Sequence, residues 1–321
     1  MKEQIEKLKK IELHIHLDGS VPIATISKIS GKSIEELTEE MVAPDKCENL
    51  SDYLTRFDTP LKYMQTKENL YQISKEVADY LASQNVIYAE VRFAPMFHTK
   101  EGLSYNEIVE AVRDGLRSNP NVRVNLILCM MRGFPFEENV KTIDAAFEYL
   151  YDGVCALDLA GAEDKFPLSD YEELFKIAKS KFIPFTIHAG ENASHKEIEL
   201  AMQFGAKRIG HGIHANESLE TQVLLKDKSV LLEMCPTSNV QTNAIEEYKD
   251  HPLEFFYNCE VKVCVNTDNT TVSNITLNEE YLKLHEQFGL TIEQFKKMNE
   301  YAAESAFLTI DEQAELKELL K

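Results

Sequence analysis

The chain has 321 residues, of which 44% are hydrophobic and 27% are charged, and its formal net charge is −20. This apolar content excludes a disordered chain, and the length allows one large α/β barrel or two ordinary domains. Because phosphate binding needs clustered Lys and Arg, the acidic balance argues against nucleic acid or an anionic membrane surface as a partner. A neutral or cationic small molecule fits this charge better.

Cysteine usage and the N-terminus bear on the compartment. The six cysteines form no C-x-x-C pair, and four of them lie in or beside apolar runs. We expect reduced core thiols in a cytoplasmic protein rather than a disulfide framework. The first ten residues are charged and lack the apolar core of a signal peptide, and the run "LILCMM" is far too short to cross a bilayer.

Short apolar runs rich in β-branched residues alternate with amphipathic helical stretches along the chain. This alternation predicts eight strands, at 11–16, 86–93, 122–130, 153–159, 183–188, 208–211, 230–234 and 261–266. Helical patterns lie between most of them. One such helix begins after Ser194, a suitable N-cap, and ends at Gly205, a typical C-terminal stop.

Eight strands alternating with helices predict an α/β fold, a (β/α)8 TIM barrel formed by a single domain over residues 1–321. An open, doubly wound sheet is the alternative. The segment 19–85 is too long for a simple strand–helix unit. It is predicted to carry extra helices over the C-terminal mouth of the barrel.

Polar side chains at the carboxyl ends of the predicted strands favour the barrel. In a barrel these ends converge on one mouth, where catalytic groups lie, whereas in an open sheet they would spread along an edge. The residues concerned are His14, His16, Asp18, Glu90, Arg92, Asp158, Gly161, Glu163, His188, Glu191, His211, Glu233, Asn266 and Asp268.

A bound divalent metal would explain why histidines stand at positions 14 and 16. His14 and His16 are two residues apart on a strand, so both side chains point to the same face. His188 and Asp268 end the fifth and eighth strands, and the four can surround one ion while leaving a position for water. Such an open site is typical of catalytic zinc. Satisfied core or surface histidines are the alternative for an H-x-H pair.

Two further residues suggest proton chemistry at the same mouth. Glu191, three residues beyond His188, is placed to act as a general acid or base; its alternative is a carboxylate that stabilises the following helix N-terminus. His211 ends an apolar strand between two glycines, which allow close approach of backbone or substrate. His214 is expected to be an ordinary polar residue. The remaining histidines are expected at the surface: His98, His195, His251 and His285.

Seven stretches together resemble the adenosine deaminase family of the amidohydrolase superfamily. They are "LHIHLDG", "AEVRFAP", "DLAGAE", "HAGE", "RIGHG", "LEMCPTSN" and "VNTDN". "HAGE" or H-x-H alone is weakly specific. The seven occur in the family's order between residues 13 and 269, each at a predicted strand end, which makes the resemblance specific.

The resemblance implies one Zn2+ per chain, and it implies roles for individual residues. The implied metal ligands are His14, His16, His188 and Asp268. Glu191 would protonate N1 of the purine, His211 would orient or deprotonate the water, and Asp268 would help to aim it. The implied substrate contacts are His16, Asp18, Gly161, Asn269, Leu54 and Phe57, with Gly161 offering its N–H to purine N3.

The implied reaction is hydrolytic deamination of adenosine and 2′-deoxyadenosine, in which a zinc-activated water attacks C6 and yields the inosine product and ammonia in purine salvage. Asp18 in "HLDG" would bind a ribose hydroxyl and favour a nucleoside over free adenine. Asn269 departs from the second aspartate of many family members. Its amide can donate to N7 at any pH, but the preferred base is left open. Leu50, Tyr53, Leu54 and Phe57 in "LSDYLTRF" resemble the apolar lid helix that encloses the nucleoside, although their i, i+3, i+4, i+7 spacing fits a core helix equally.

Three other readings compete with this one. A related amidohydrolase could act on adenine or a modified adenosine. Phosphotriesterase-like and cyclic-amide hydrolases of the superfamily are also possible, but their binuclear members usually carry a lysine near the end of the fourth strand. That place here reads "LDLAG", with no lysine until Lys165, which favours a mononuclear site. Cytidine-type deaminases need P-C-x-x-C, which is absent. A non-catalytic nucleoside-binding protein should have lost a ligand or Glu191, and neither is missing. The sequence leaves the oligomeric state open.

Overall fold

A computed structural model describes all residues, 1–321. Eight strands are present, and each overlaps one of the predicted runs. They are β1 (Lys10–His16), β2 (Val86–Phe93), β3 (Arg123–Met131), β4 (Val154–Ala160), β5 (Thr186–Ala189), β6 (Arg208–His211), β7 (Leu231–Met234) and β8 (Val263–Val265).

All paired strands are parallel and follow chain order, β1 to β4 in one sheet and β5 to β8 in the other. Single parallel bridges join the sheets at both edges, Leu157 with Phe185 and Ile15 with Asp268. The last strand therefore returns to the first. The predicted (β/α)8 barrel is confirmed, and an open sheet is excluded.

Helices fill the connections between the strands, precede β1 and follow β8. They are α1 (Lys2–Lys7), α2 (Ile23–Ser30), α3 (Ile34–Met41), α4 (Leu50–Leu54), α5 (Asp58–Tyr63), α6 (Lys67–Ser83), α7 (Tyr105–Leu116), α8 (Phe136–Glu148), α9 (Glu172–Ser180), α10 (His195–Phe204), α11 (Leu219–Asp227), α12 (Pro236–Gln241), α13 (Leu253–Asn258), α14 (Leu277–Phe288), α15 (Ile292–Ser305) and α16 (Ile310–Leu319). Five of them, α2 to α6, lie between β1 and β2, within the segment predicted to carry extra helices.

Local sequence explains where several helices begin and end. Ser104 caps α7: its hydroxyl accepts from the Glu107 N–H at 3.3 Å while the Glu107 carboxylate accepts from the Ser104 N–H at 3.0 Å. Helix α10 follows Ser194, whose hydroxyl accepts a backbone N–H, and it ends at Gly205 with φ +94°. Both predicted boundaries of α10 are confirmed.

The barrel interior carries a layer of buried charges beneath the mouth. Arg208 contacts Glu90 and Glu233, each at 2.6 Å, and Arg92 contacts Glu233 and Asp158, each at 2.8 Å. All five side chains are fully buried. Since a buried charge is tolerated when it is paired, the two arginines keep Glu233 and Asp158 ionised and fixed in position.

Some expectations about individual residues were wrong. His98 and His251 are buried rather than at the surface, because polar groups of neighbouring segments enclose them: His98 Nδ1 lies 2.8 Å from the Met64 carbonyl and His251 Nε2 lies 3.2 Å from Asn239 Oδ1. Cys259 is exposed, whereas the other five cysteines are buried, and all six are free thiols.

No helix has the length and apolar character needed to span a membrane.

Candidate metal centre and active site

The ends of three barrel segments bring four potential ligands together. His14 and His16 close β1, His188 lies in β5, and Asp268 follows β8; one ligand atom from each lies within 4.8 Å of all the others. His16 Nε2 is 3.3 Å from His188 Nε2 and 3.3 Å from Asp268 Oδ1. His14 Nε2 is 3.4 Å from the same carboxylate oxygen. The sequence predicted this convergence from the strand ends.

The surroundings of these histidines suit metal binding. His14 Nδ1 donates to Glu233 Oε2 at 2.8 Å, and His188 Nδ1 lies 2.9 Å from Asp158 Oδ2. Carboxylates on Nδ1 leave the Nε2 lone pairs facing the cluster, which is how proteins commonly orient metal-binding imidazoles. His14 Nε2 is buried and has no hydrogen-bond partner. A cation in the cluster would satisfy that nitrogen, so the residues fit a divalent metal.

The electrostatics of the cluster favour the protonation states that ligands need. Burial lowers the pKa of His16 well below its ordinary value, so its imidazole is neutral. Burial opposes ionisation of Asp268, but the surrounding imidazoles, that of His14 first, hold the pKa of Asp268 well below its usual range. Ser238 Oγ donates to Asp268 Oδ2 at 2.6 Å, which fixes the carboxylate. Neutral imidazole and ionised carboxylate are the forms that bind metal.

Glu191 lies beside this cluster with different electrostatics. It is buried, its Oε2 is 3.8 Å from His211 Nε2, and burial together with the charge of Asp268 raises the pKa of Glu191 to about 8. Glu191 therefore carries a proton at neutral pH. The alternative role at a helix terminus does not hold, because α10 begins only at His195 and Ser194 is its cap.

Glu163 holds the loop that carries Glu191. Its carboxylate accepts the backbone N–H groups of Gly190 at 2.6 Å, Glu191 at 3.0 Å and Asn192 at 3.2 Å. The sequence marked Glu163 as a polar residue after the fourth strand but gave it no role. Its partners lie about 27 residues away in another loop, as the hydrogen bonds show, so no local pattern could reveal the contact.

His211 ends β6 and stands against the cluster. Its ring centroid lies 4.8 Å from that of His14 and 5.2 Å from that of His188. Both His211 (φ +61°) and Asp268 (φ +62°) have left-handed backbones, which cost non-glycine residues roughly 1–3 kcal/mol and are frequent at functional sites. The fold therefore tolerates strain at two positions that the sequence assigned to the site.

A second group of potential ligands shares His14. One ligand atom from each of His14, His211 and Cys235 also lies within 4.8 Å of the others. Burial raises the pKa of the Cys235 thiol well above its ordinary value, and its Sγ lies 3.7 Å from the Glu233 carbonyl oxygen. The four-residue group supplies three imidazoles and a carboxylate, whereas the second group would need a buried thiol to lose its proton, so the group with Asp268 is the better site.

Three residues expected to contact substrate have unused polar atoms. Asp18 is buried, its Oδ1 has no partner, and burial raises its pKa to about 6. Gly161 follows β4 with φ +106°, and its N–H donates to no protein acceptor. Asn269 is buried, and its Oδ1 lacks a partner while its Nδ2 donates to the Tyr53 hydroxyl at 3.1 Å.

The proposed lid helix α4 divides into two faces. Leu50 and Tyr53 are buried against Val272, while Phe57 packs on the Tyr53 ring at 6.2 Å. Leu54 is 37% exposed. The core-helix alternative therefore describes the first two residues and not Leu54. Sequence reasoning missed the polar role of Tyr53, whose hydroxyl joins α4 to Asn269 and lies 2.7 Å from Ser273 Oγ.

Comparisons with known proteins identify the relatives of this chain. A family model described as adenosine deaminase matches residues 9–321. A protein of Enterococcus faecalis named adenosine deaminase is 41% identical over 319 residues, covering 96% of this chain and 95% of the relative.

Solved structures of two deaminases have the same fold as this chain. The N6-methyl-AMP deaminase of Arabidopsis thaliana is 26% identical, with a TM-score of 0.88, and covers 100% of this chain and 98% of its own. The adenine deaminase of Arthrobacter aurescens shares the fold, with a TM-score of 0.89 at 23% identity over 98% of both chains. With a family model matched over nearly its full length, this chain belongs to the adenosine deaminase family.

Proposed function

We propose that the protein catalyses hydrolytic deamination of adenosine and 2′-deoxyadenosine, breaking the C6–N bond of the cyclic amidine and releasing ammonia. The observation that carries this proposal is the position of the buried Glu191 beside the cluster of His14, His16, His188 and Asp268, with its Oε2 3.8 Å from His211 Nε2. Burial raises the pKa of Glu191 to about 8, while the imidazoles around Asp268 hold the pKa of that carboxylate well below its usual range. Deamination of a purine needs both a proton donor for the ring and a place where water is activated.

We propose that the site holds one Zn2+ per chain through His14, His16, His188 and Asp268. Three imidazole nitrogens and one carboxylate are a ligand set that zinc prefers, and the buried, unpartnered Nε2 of His14 supports a cation at this place. When bound, zinc acidifies water and so supplies a hydrolytic nucleophile at neutral pH.

Acid–base groups of the chain donate the proton to the ring and orient the attacking water. Glu191 donates its proton to N1, which relieves the charge that develops on the ring when C6 is attacked. Because Glu191 is buried, the proton is held by a desolvated carboxyl group rather than by bulk water. His211, 3.8 Å from Glu191, orients the attacking water. Asp268, which Ser238 fixes, helps to aim the same water.

Substrate recognition uses the unpartnered polar atoms around the mouth. Asp18 accepts a ribose hydroxyl, and Gly161 donates its N–H to N3. Because N7 is only an acceptor, Asn269 donates to it the Nδ2 hydrogen that the Tyr53 hydroxyl does not accept. His16, at the end of β1, both binds the metal and lines the substrate pocket, while Leu54 and Phe57 supply apolar cover from α4 and the turn after it. The buried Asp18 Oδ1, which no protein group satisfies, supports a hydroxyl-bearing sugar over a free base.

A second candidate function is deamination of a related 6-aminopurine. Asn269 stands where many family members have aspartate, and structural neighbours are named as adenine and N6-methyl-AMP deaminases. Adenosine is favoured because Asp18 would have no partner on free adenine.

The test is direct incubation with adenosine, 2′-deoxyadenosine, adenine, N6-methyl-AMP and cytidine while ammonia release is measured. We expect rapid release from the first two and none from cytidine. Turnover of adenine or N6-methyl-AMP without turnover of adenosine would overturn the proposed substrate and the role of Asp18.

We propose further that residues 1–321 work as one domain in the cytoplasm. Helices α2 to α6 belong to that domain, because α4 contacts the loop after β8 through Tyr53 and Ser273. Free thiols at all six cysteines support a reducing compartment.

A further inference from the structure

A line of buried polar side chains leads from His211 away from the pocket. Asn239 Nδ2 lies 3.0 Å from His211 Nδ1, and Asn239 Oδ1 lies 3.2 Å from His251 Nε2. His251 Nδ1 in turn lies 3.3 Å from the backbone nitrogen of Leu253. Asn239 and His251 are both buried, so the partners of these atoms come from the protein.

The backbone at the far end of this line fixes the direction of every hydrogen bond in it. The Leu253 N–H can only donate, so His251 Nδ1 accepts and the proton of a neutral His251 is on Nε2. That proton is donated to Asn239 Oδ1, which places the amide NH2 of Asn239 against His211. His211 Nδ1 is therefore an acceptor, and a neutral His211 carries its proton on Nε2.

The Nε2 atom of His211 faces the active site. It is 3.8 Å from Glu191 Oε2, and the ring stands beside the rings of His14 and His188. Its N–H is thus directed to the place where water and the purine ring would meet.

Asn239 itself is held firmly. Its backbone N–H donates to the Cys235 carbonyl at 3.0 Å, and its own carbonyl accepts from Ala244 at 3.0 Å and Ile245 at 3.1 Å. The amide is therefore fixed between the two imidazoles, and reversing it would set donor against donor at His251.

We propose that Asn239 and His251 are positioning residues that hold His211 as the Nε2–H tautomer, so that His211 donates a hydrogen bond to the attacking water instead of accepting its proton. This inference rests on the proposed function for the identity of the reaction, although the tautomer follows from the hydrogen bonds alone. It decides between the two roles, orienting and deprotonating, that family resemblance leaves open for His211.

The first test reads the tautomer without measuring activity. Long-range 15N–1H NMR of histidine-labelled, zinc-loaded protein distinguishes Nε2–H from Nδ1–H rings, and His211→Gln identifies the His211 signals. We expect Nε2–H in the wild type and in His251→Gln, whose amide can still donate to Asn239. We expect Nδ1–H in Asn239→Asp, because a carboxylate accepts from both histidines. An Nδ1–H ring at His211 in the wild type would overturn the proposal even if the protein deaminates adenosine.

The second test compares steady-state kinetics of the same variants at equal zinc content. Removing a preorganised donor from a developing charge typically costs 10²–10³-fold, so we expect Asn239→Asp to lower kcat by about 10²-fold with KM nearly unchanged. His251→Gln should remain within about threefold of wild type, while His251→Leu, which cannot direct Asn239, should fall between them.

Full activity of Asn239→Asp would show that His211 accepts a proton and would refute the donor role. If Asn239→Asp fails to fold, equal kcat values for His251→Gln and His251→Leu would refute it. Absence of deamination in every protein, together with the Nε2–H signal in the wild type, would count against the proposed function and not against the tautomer.

Discussion

Replacing Glu191 by glutamine tests the proton donor of the site. Glu191 is buried and its pKa is about 8, so roughly nine-tenths of the molecules carry the acid form at pH 7. Glutamine keeps the size and a hydrogen-bond donor but has no proton to transfer. General acid catalysis contributes about 10²–10⁴-fold, or about 3–5 kcal/mol of barrier. We therefore expect kcat to fall by about 10²–10⁴-fold.

The assay follows adenosine turnover at saturating substrate, with zinc measured in the same samples. Since Glu191 is not in the proposed ligand set, the variant should keep one zinc per chain and a KM near that of wild type. Glu217→Gln is a matched control: Glu217 is half-exposed and faces His195 and His214 rather than the cluster, so its loss should leave kcat unchanged. A Glu191→Gln protein with kcat within tenfold of wild type, or one that has lost its zinc, would refute the assigned role.

Three further changes probe other parts of the account. Asp158→Asn removes the charge beside His188 Nδ1 and should weaken zinc binding about 10–100-fold in chelator competition; unchanged affinity would contradict its supporting role. Gly19→Ala places a methyl group on the Asn269 side chain and should lower kcat/KM for adenosine at least about tenfold without loss of zinc; wild-type kcat/KM would show that Asn269 does not contact the base. Burial lowers the pKa of His98 to about 4, so the unfolded chain binds the extra proton between about pH 6.5 and 4 and the folded state loses stability as pH falls. Urea unfolding should show that the free energy of unfolding of wild type, relative to His98→Gln, drops by about 3 kcal/mol from pH 7 to pH 4, and parallel pH profiles would contradict this.

The barrel and its strands could be predicted because buried parallel strands leave short apolar, β-branched runs in the sequence. The misplaced boundaries have local causes. The fifth strand begins at Thr186 rather than near residue 183, since Pro184 has no N–H for the ladder and only its carbonyl accepts, from Leu157 at 3.0 Å. The eighth strand spans only Val263–Val265, and the Asn266 side chain that follows it turns inward and accepts the N–H groups of Leu13 and His14.

The positions around the metal cluster could also be predicted, because polar residues that end apolar strands converge on one mouth. The residues that support the metal cluster could not be predicted from the sequence. Glu163 accepts a hydrogen bond from the loop after β5, 27 residues later. Asn239 links His211, 28 residues before it, to His251, 12 residues after it. His98 and His251 stand in helical or loop sequence, for which surface positions were expected, and only tertiary packing buries them. Because such contacts join segments that are far apart in the chain, no local sequence pattern predicts them.

Titrating zinc into chelated protein, with adenosine turnover recorded at each addition, tests whether one metal ion per chain makes the site active. We expect no turnover without metal, a linear rise, and a plateau at one zinc per chain. A plateau at two zinc ions per chain, or full turnover by the metal-free protein, would contradict this expectation.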